Sequence, residues 1–198
     1  MNRIAAIVLA AGESRRLGQP KQLIEWHARP LIKHVAQTAI DAGLDPVVVV
    51  IGYRAEAMRS VMADSAVILA DNTHWLEGLS TSVRAGLLAL PADVNAAFFL
   101  HVDQPHVGAD HLRAMIAAYH TSGQPIVASA FHGQRTSPTL FDRSLFDQLM
   151  LIRGDRGGRS IIDTHPDWVE TVEAATEWTL DDIDTQEDLA RARTTKDP

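Results

Sequence analysis

Apolar residues fall along this chain in two alternating rhythms. Runs that are apolar at nearly every position occur at residues 4–9, 47–51 and 96–102. Such short runs have no polar face, so they read as strands buried on both sides, the kind found in a parallel sheet. Between them lie stretches whose apolar residues recur every three or four positions. In residues 30–42, Leu31, Val35, Ala39 and Ile40 share one face, Pro30 opens the stretch and Gly43 stops it. Residues 54–62, 79–90 and 108–120 read as further helices, and 66–70 as a further strand. Strand and helix in alternation predict an α/β fold with a doubly wound, mostly parallel sheet and helices on both faces. In such sheets ligands sit at the carboxyl ends of the strands.

From residue 124 the rhythm changes. Residues 126–131 read as a strand, 132–135 as a turn and 137–141 as a returning strand. Short helices at 144–150 and 158–163 precede a strand at 168–172, and 186–193 closes the pattern as a helix. Residues 22–26 read as short and extended, and 194–198 as a frayed tail. No linker divides the 198 residues, which predicts one domain. Residues 1–123 make up one side of it and 124–193 the other.

Composition narrows the function. A formal net charge of −7 argues against a nucleic-acid binder, which would show a basic patch. The chain has no cysteine, so it has no disulfide framework and no thiolate nucleophile or metal ligand. That is compatible with a cytoplasmic location. Met1-Asn2-Arg3 leads straight into a strand without a signal-peptide pattern, and no apolar run is long enough to span a bilayer.

The loop after the first strand carries the candidate chemistry: Leu9-Ala10-Ala11-Gly12-Glu13-Ser14-Arg15-Arg16-Leu17-Gly18-Gln19-Pro20-Lys21. Small residues let backbone N–H groups approach an anion, and two arginines and a lysine can neutralise phosphates. The spacing fits neither G-x-G-x-x-G nor G-x-x-x-x-G-K-[ST]. An ordinary loop with surface arginines is the plainer alternative. Asp103 follows the strand at 96–102 and is placed either to hold Mg²⁺ with phosphate oxygens or to cap the helix beginning near Gly108. Ser80 and Ser82 open the helix at 79–90, as caps or facing a ligand. Thr185 reads as a helix cap with Glu187 and Asp188 in an acidic first turn. G-x-S-x-G fails at Ser82, which speaks against a serine hydrolase. His101, on an apolar strand, reads as a core residue.

The loop resembles L-A-[AG]-G-x-S-x-R-[ML]-G-x-x-K, the signature of nucleotidyltransferases that join an NTP to a phosphorylated acceptor. Leu9, Ala10, Ala11, Gly12, Ser14, Arg16, Leu17, Gly18 and Lys21 match its anchors. The resemblance recurs at Asp103-Gln104-Pro105, at Gly78-Leu79-Ser80-Thr81-Ser82, at Leu151 through Arg159, and at Asp182-Ile183-Asp184-Thr185. The first and third of these are similar to the molybdopterin nucleotidyltransferase branch.

By that resemblance, the fold would be nucleotide-diphospho-sugar transferase-like. Leu9, Ala10, Ala11, Gly12 and Ser14 would wrap the nucleotide, with Ser80 and Ser82 on the base or ribose. Arg16 and Lys21 would hold the triphosphate, and Asp103 would bind Mg²⁺ with Asp184, Asp182 being the weaker candidate. Ala11 with Ser14 points to the cytidylyltransferases of the branch. CTP and a molybdopterin-type phosphate would then be the substrates, and a molybdoenzyme or its maturation chaperone the recipient. One departure stands out: the branch usually has Gly-His-Pro where this chain has Thr136-Ser137-Pro138. Two alternatives remain open. One is an NTP transferase acting on a sugar or other small phosphate, the other a carrier of molybdenum cofactor without transfer.

Overall fold

A computed structural model gives the fold and describes residues 3–194. In chain order the elements are β1 (Arg3–Leu9), β2 (Glu25–Trp26), β3 (Arg29–Pro30), α1 (Leu31–Asp41), β4 (Val47–Ile51), α2 (Ala55–Met62), β5 (Ile68–Asp71), α3 (Leu79–Leu88), β6 (Val94–His101), α4 (Ala109–Ser122), β7 (Ile126–Phe131), β8 (Gln134–Asp142), α5 (Phe146–Leu151), α6 (Arg159–Thr164), β9 (Val169–Glu173) and α7 (Gln186–Thr194). One seven-stranded sheet runs β5-β4-β1-β6-β8-β7-β9. Within it only β8 is reversed: it pairs antiparallel with β6 and β7, and the other pairs are parallel.

The pleat explains why the strands at the centre are apolar throughout. In β1, Ala6 and Val8 enter one core, while Ala5, Ile7 and Leu9 enter the other. In β4, Val49 and Ile51 oppose Val48 and Val50 in the same way. Helices α1, α2, α4 and α7 cover the first face; α3, α5 and α6 cover the second. Each fully buried Ile or Val contributes roughly 1.5–3 kcal/mol relative to exposure. A polar residue inside these strands would therefore disrupt a face whichever way it pointed.

The doubly wound expectation holds, and several boundaries move. Residues 21–23 form a 3-10 turn rather than an extended segment, because the Gln22 side chain turns inward; only Glu25–Trp26 is extended. Pro30 ends β3, and α1 starts at Leu31. The turn after β7 shrinks to His132 and Gly133, both at positive φ, so β8 already begins at Gln134. A 3-10 turn at Arg143–Leu145, capped by Asp142, precedes α5. Thr194 is the last residue of α7, not part of a tail, and 195–198 lie outside the described residues. Among the described residues no helix is long and apolar enough to cross a membrane.

Candidate active site

The carboxyl ends of β1 and β6 open into a cleft of 360 Å³, and most of the candidate residues line it: Leu9, Ala11, Gly12, Ser14, Arg16, Lys21, Ser82, Asp103 and Asp184. The loop after β1 is fixed by its backbone. Ala10 N–H donates to Val50 O (3.0 Å) and Tyr53 N–H donates to Ala11 O (2.9 Å). Ser14 adopts a left-handed conformation (φ 59°), uncommon for a residue with a side chain. Its hydroxyl accepts from the Lys21 N–H at 3.2 Å, which closes the loop on the turn that carries the lysine.

Lys21 joins the two candidate metal ligands. Its Nζ lies 2.6 Å from Asp103 Oδ2 and 3.0 Å from Asp184 Oδ1, and Arg16 Nη2 lies 2.7 Å from Asp184 Oδ2. Exposure ranks these contacts. The Lys21 and Asp103 side chains are 12% and 17% exposed, whereas that of Arg16 is 73% exposed. An exposed pair such as Arg16–Asp184 contributes about 0–1 kcal/mol. The Lys21 pair is sheltered enough that losing one member strands a charge. Burial alone would lower the Lys21 pKa, but Asp103 and Asp184 more than offset it, so the ammonium is held charged above its ordinary range.

Asp184 arrives from the far end of the described chain. Ile183 N–H donates to Asp103 O (2.9 Å) and Gln104 Nε2 donates to Leu180 O (3.0 Å), laying residues 180–184 beside the end of β6. Asp188 Oδ2 then accepts from the N–H groups of Asp184 and Thr185 and from the Thr185 hydroxyl, while Asp188 N–H donates to Thr185 Oγ1. This is the reciprocal cap of α7. Gln186 Nε2 bonds Leu17 O at 3.0 Å and ties the cap to the nucleotide loop.

Asp182 differs from Asp184. It keeps an exposed side chain and faces a second hollow with His106 and Arg191. Desolvation on its inner side, then the charges of Asp103 and Asp184, push its pKa up to about 6. Asp103 Oδ1 is buried without a hydrogen-bond partner. Among the described residues no cluster of three or more acidic or histidine side chains is set to enclose a metal. Two carboxylates with one orphaned oxygen can nevertheless share a divalent cation with phosphate oxygens and water. His101 lines the cleft rather than the core. Burial, then the Lys21 charge, lowers its pKa against the pull of Asp103, so the imidazole is neutral at pH 7.

The opposite end of the cleft is formed by Trp75, Gly78, Leu79, Ser82 and Asp155. Gly78 has φ 103°, and a Cβ there would lie 2.5 Å from the Gly154 carbonyl carbon. Glycine thus lets residues 152–158 lie against the start of α3. Ser80 N–H donates to Gly154 O (3.0 Å), Leu79 N–H to Asp155 Oδ1 (3.3 Å) and Arg84 Nη1 to Ile152 O (2.8 Å).

The two serines part company. Ser82 lines the cleft and accepts from Asn72 Nδ2 at 3.0 Å. Ser80 is 1% exposed and does not line it. Neither caps α3; Gly78 is the N-cap. Ala10 also stays out of the lining, and its carbonyl accepts from Gln22. Trp75 and Gln22 are cleft residues that sequence reasoning misses, while Asp155 enters it only as part of the stretch 151–159. Only Gln22 carries a signal, as a lone amide between Lys21 and the apolar pair Leu23-Ile24.

Comparison with known proteins gives the site its context. A family model described as the MobA-like NTP transferase domain matches residues 6–169. Nicotine blue oxidoreductase from Paenarthrobacter nicotinovorans is 28% identical over 95% of both chains. The purine catabolism protein PucB from Bacillus subtilis (strain 168) is 29% identical over 96% of both. The crystal structure of Rv0371c from Mycobacterium tuberculosis H37Rv superposes with a TM-score of 0.84 at 26% identity, covering 98% of this chain and 99% of that one. The same mycobacterial protein has been solved in complex with manganese. The match runs from within β1 to the first residue of β9, through the loop, Lys21 and Asp103, and on that ground the chain belongs to the MobA-like NTP transferase family of nucleotidyltransferases.

Proposed function

We propose that this chain transfers the cytidylyl group of CTP to the phosphate of a molybdopterin-type acceptor and releases pyrophosphate. The observation that carries the reading is Lys21, held between Asp103 and Asp184 directly beneath the nucleotide loop. An acceptor phosphate oxygen would attack the α-phosphorus, forming a new P–O bond. The bond from the α-phosphorus to the oxygen bridging the β-phosphorus would break, and pyrophosphate would leave with that electron pair. The acceptor phosphate is already ionised near neutral pH, so no strong general base is required. Lys21 and Arg16 would neutralise charge on the leaving pyrophosphate, and the loop would orient the triphosphate.

Asp103 and Asp184 would hold a magnesium ion, and the buried, unpartnered Asp103 Oδ1 is suited to it. When bound, such an ion supplies charge neutralisation on phosphate oxygens. That the mycobacterial relative has been solved in complex with manganese supports a divalent cation as a partner of this fold. Choice of CTP rests on the resemblance of Ala11 and Ser14 to cytidylyltransferases, and choice of acceptor on the resemblance of residues 151–159. Thr136-Ser137, in place of Gly-His, favours a second reading in which the acceptor is a sugar or other small phosphate. A carrier without transfer has no need of the sheltered Lys21–Asp103 pair.

The deciding experiment measures pyrophosphate release with Mg²⁺ from CTP, GTP, ATP and UTP, with and without molybdopterin-type acceptor. Release only with CTP and that acceptor is the expected result. Release with a different acceptor would replace the acceptor and keep the chemistry. Tight cofactor binding without release would favour the carrier.

A further inference from the structure

One buried amide shapes the nucleotide loop. Gln22 is 1% exposed, and its Nε2 donates to Ala10 O and Gly12 O, each at 2.7 Å. Both partners are carbonyls, so the amide nitrogen must be the end that faces them. The carbonyl between them, Ala11 O, accepts from Tyr53 N–H at 2.9 Å. Three consecutive carbonyls are therefore held by the protein. Among the described residues the N–H groups of Ala11, Gly12 and Glu13 make no hydrogen bond. Successive unpaired N–H groups form an anion-binding concavity. The 3-10 turn at Lys21–Leu23 thus sends adjacent side chains to two tasks: Lys21 to the carboxylates, Gln22 back to the loop. Gln22 Oε1 is buried without a partner, a burial cost the fold carries to keep the amide there.

We infer that Gln22 is a positioning residue for the triphosphate. It holds the carbonyls of the loop away from the anion, so that the loop N–H groups remain available to phosphate oxygens. This rests on reading the cleft as a triphosphate site.

The test compares Gln22→Met, which keeps length without a donor, with Gln22→Glu, which sets a carboxylate against two carbonyls. Two probes are titrated calorimetrically with Mg²⁺: CTP and inorganic tripolyphosphate. Both dissociation constants are expected to rise by about tenfold for Met and further for Glu. In turnover, KM for CTP should rise in step while kcat stays within about threefold. Equal affinity of wild type and folded variants for both probes would overturn the assignment. So would a fall in kcat at constant KM, or failure of both variants to fold, which would mark Gln22 as a purely structural residue. Should the wild type bind neither probe, the triphosphate reading itself falls, and this inference with it.

Discussion

The two halves of the sheet meet along β6 and β8 and bring residues to the cleft by different means. In the parallel half, β1 and β6 run side by side, so the loop after one and Asp103 after the other reach the same edge without further instruction. Beyond β6 the direction reverses at β8 alone; β7 and β9 run the same way as β6, so the chain leaving β9 also heads for that edge, but from its far side. The second half, proposed as the acceptor side, is held there by individual tethers: Ile183 to Asp103, Gln104 to Leu180, Gln186 to Leu17 and Gly154 to Ser80. Topology therefore suffices to position the first group of residues, and long-range hydrogen bonds fix the second. Damage to the first should cost chemistry with little stability, and damage to the second should cost stability first.

The largest effect should come from Asp103→Asn. It removes one carboxylate charge from the centre of the parallel half, and transfer is expected to fall by about 10³-fold or more. The melting temperature should change by no more than a few degrees, measured beside the pyrophosphate assay. Surviving transfer would mean that the metal assignment is wrong.

Lys21→Met should mix the two kinds of cost. Transfer is expected to fall by about 10²-fold. Without the ammonium, Asp103 loses its charge partner and Asp184 keeps only the exposed Arg16, and stability should drop by about 1–2 kcal/mol after allowing for their partial exposure. Thermal melts with and without millimolar Mg²⁺ would read this. Recovery with Mg²⁺ is expected, and no recovery would separate the carboxylates from metal binding.

Gly158→Ala tests the acceptor half. A Cβ there would lie 2.2 Å from the Phe141 ring, inside the second core. Overpacking should cost about 1–3 kcal/mol, with affinity for CTP changed less than about twofold. An equal loss of CTP affinity would erase the distinction between the halves.

The smallest effect is a pH dependence. The folded-state pKa of Asp182, about 6, lies above its ordinary value of 3.8. A proton on this group therefore favours the folded chain, and that contribution is lost as pH rises from about 4 to 6. Asp142 and Asp188 have lowered values and act oppositely, losing their contribution as pH falls below about 4. Asp182→Asn should flatten stability between pH 4 and 6 relative to wild type in a series of melts. An unchanged slope would remove Asp182 as its source.

Legibility in the sequence divides along the same line. β1, β4 and α1 are plain because a two-sided core demands unbroken apolar strands and a one-sided helix demands a stripe, and both are local patterns. Lys21 and Asp103 are legible because each follows a readable strand or motif. Ser80 is buried away from the cleft where its N–H bonds Gly154 O, a contact between segments more than seventy residues apart that no local pattern records. The full length of β8 escapes a local reading because residues 134–136 are largely polar and gain strand structure from β7. Gln22 is hidden for a related reason: an amide bonding backbone carbonyls leaves no periodic trace.

The bond between Arg16 and Asp184 spans 168 positions, and the one between Lys21 and Asp184 spans 163. At synthesis rates of about 5–20 residues per second, roughly ten to thirty seconds separate the emergence of the first partner from that of the second. For the first half of that interval the nascent polypeptide has the loop and its lysine with neither carboxylate, and for the second half with Asp103 alone. The charge cluster therefore closes only once residue 184 has been made, late in translation.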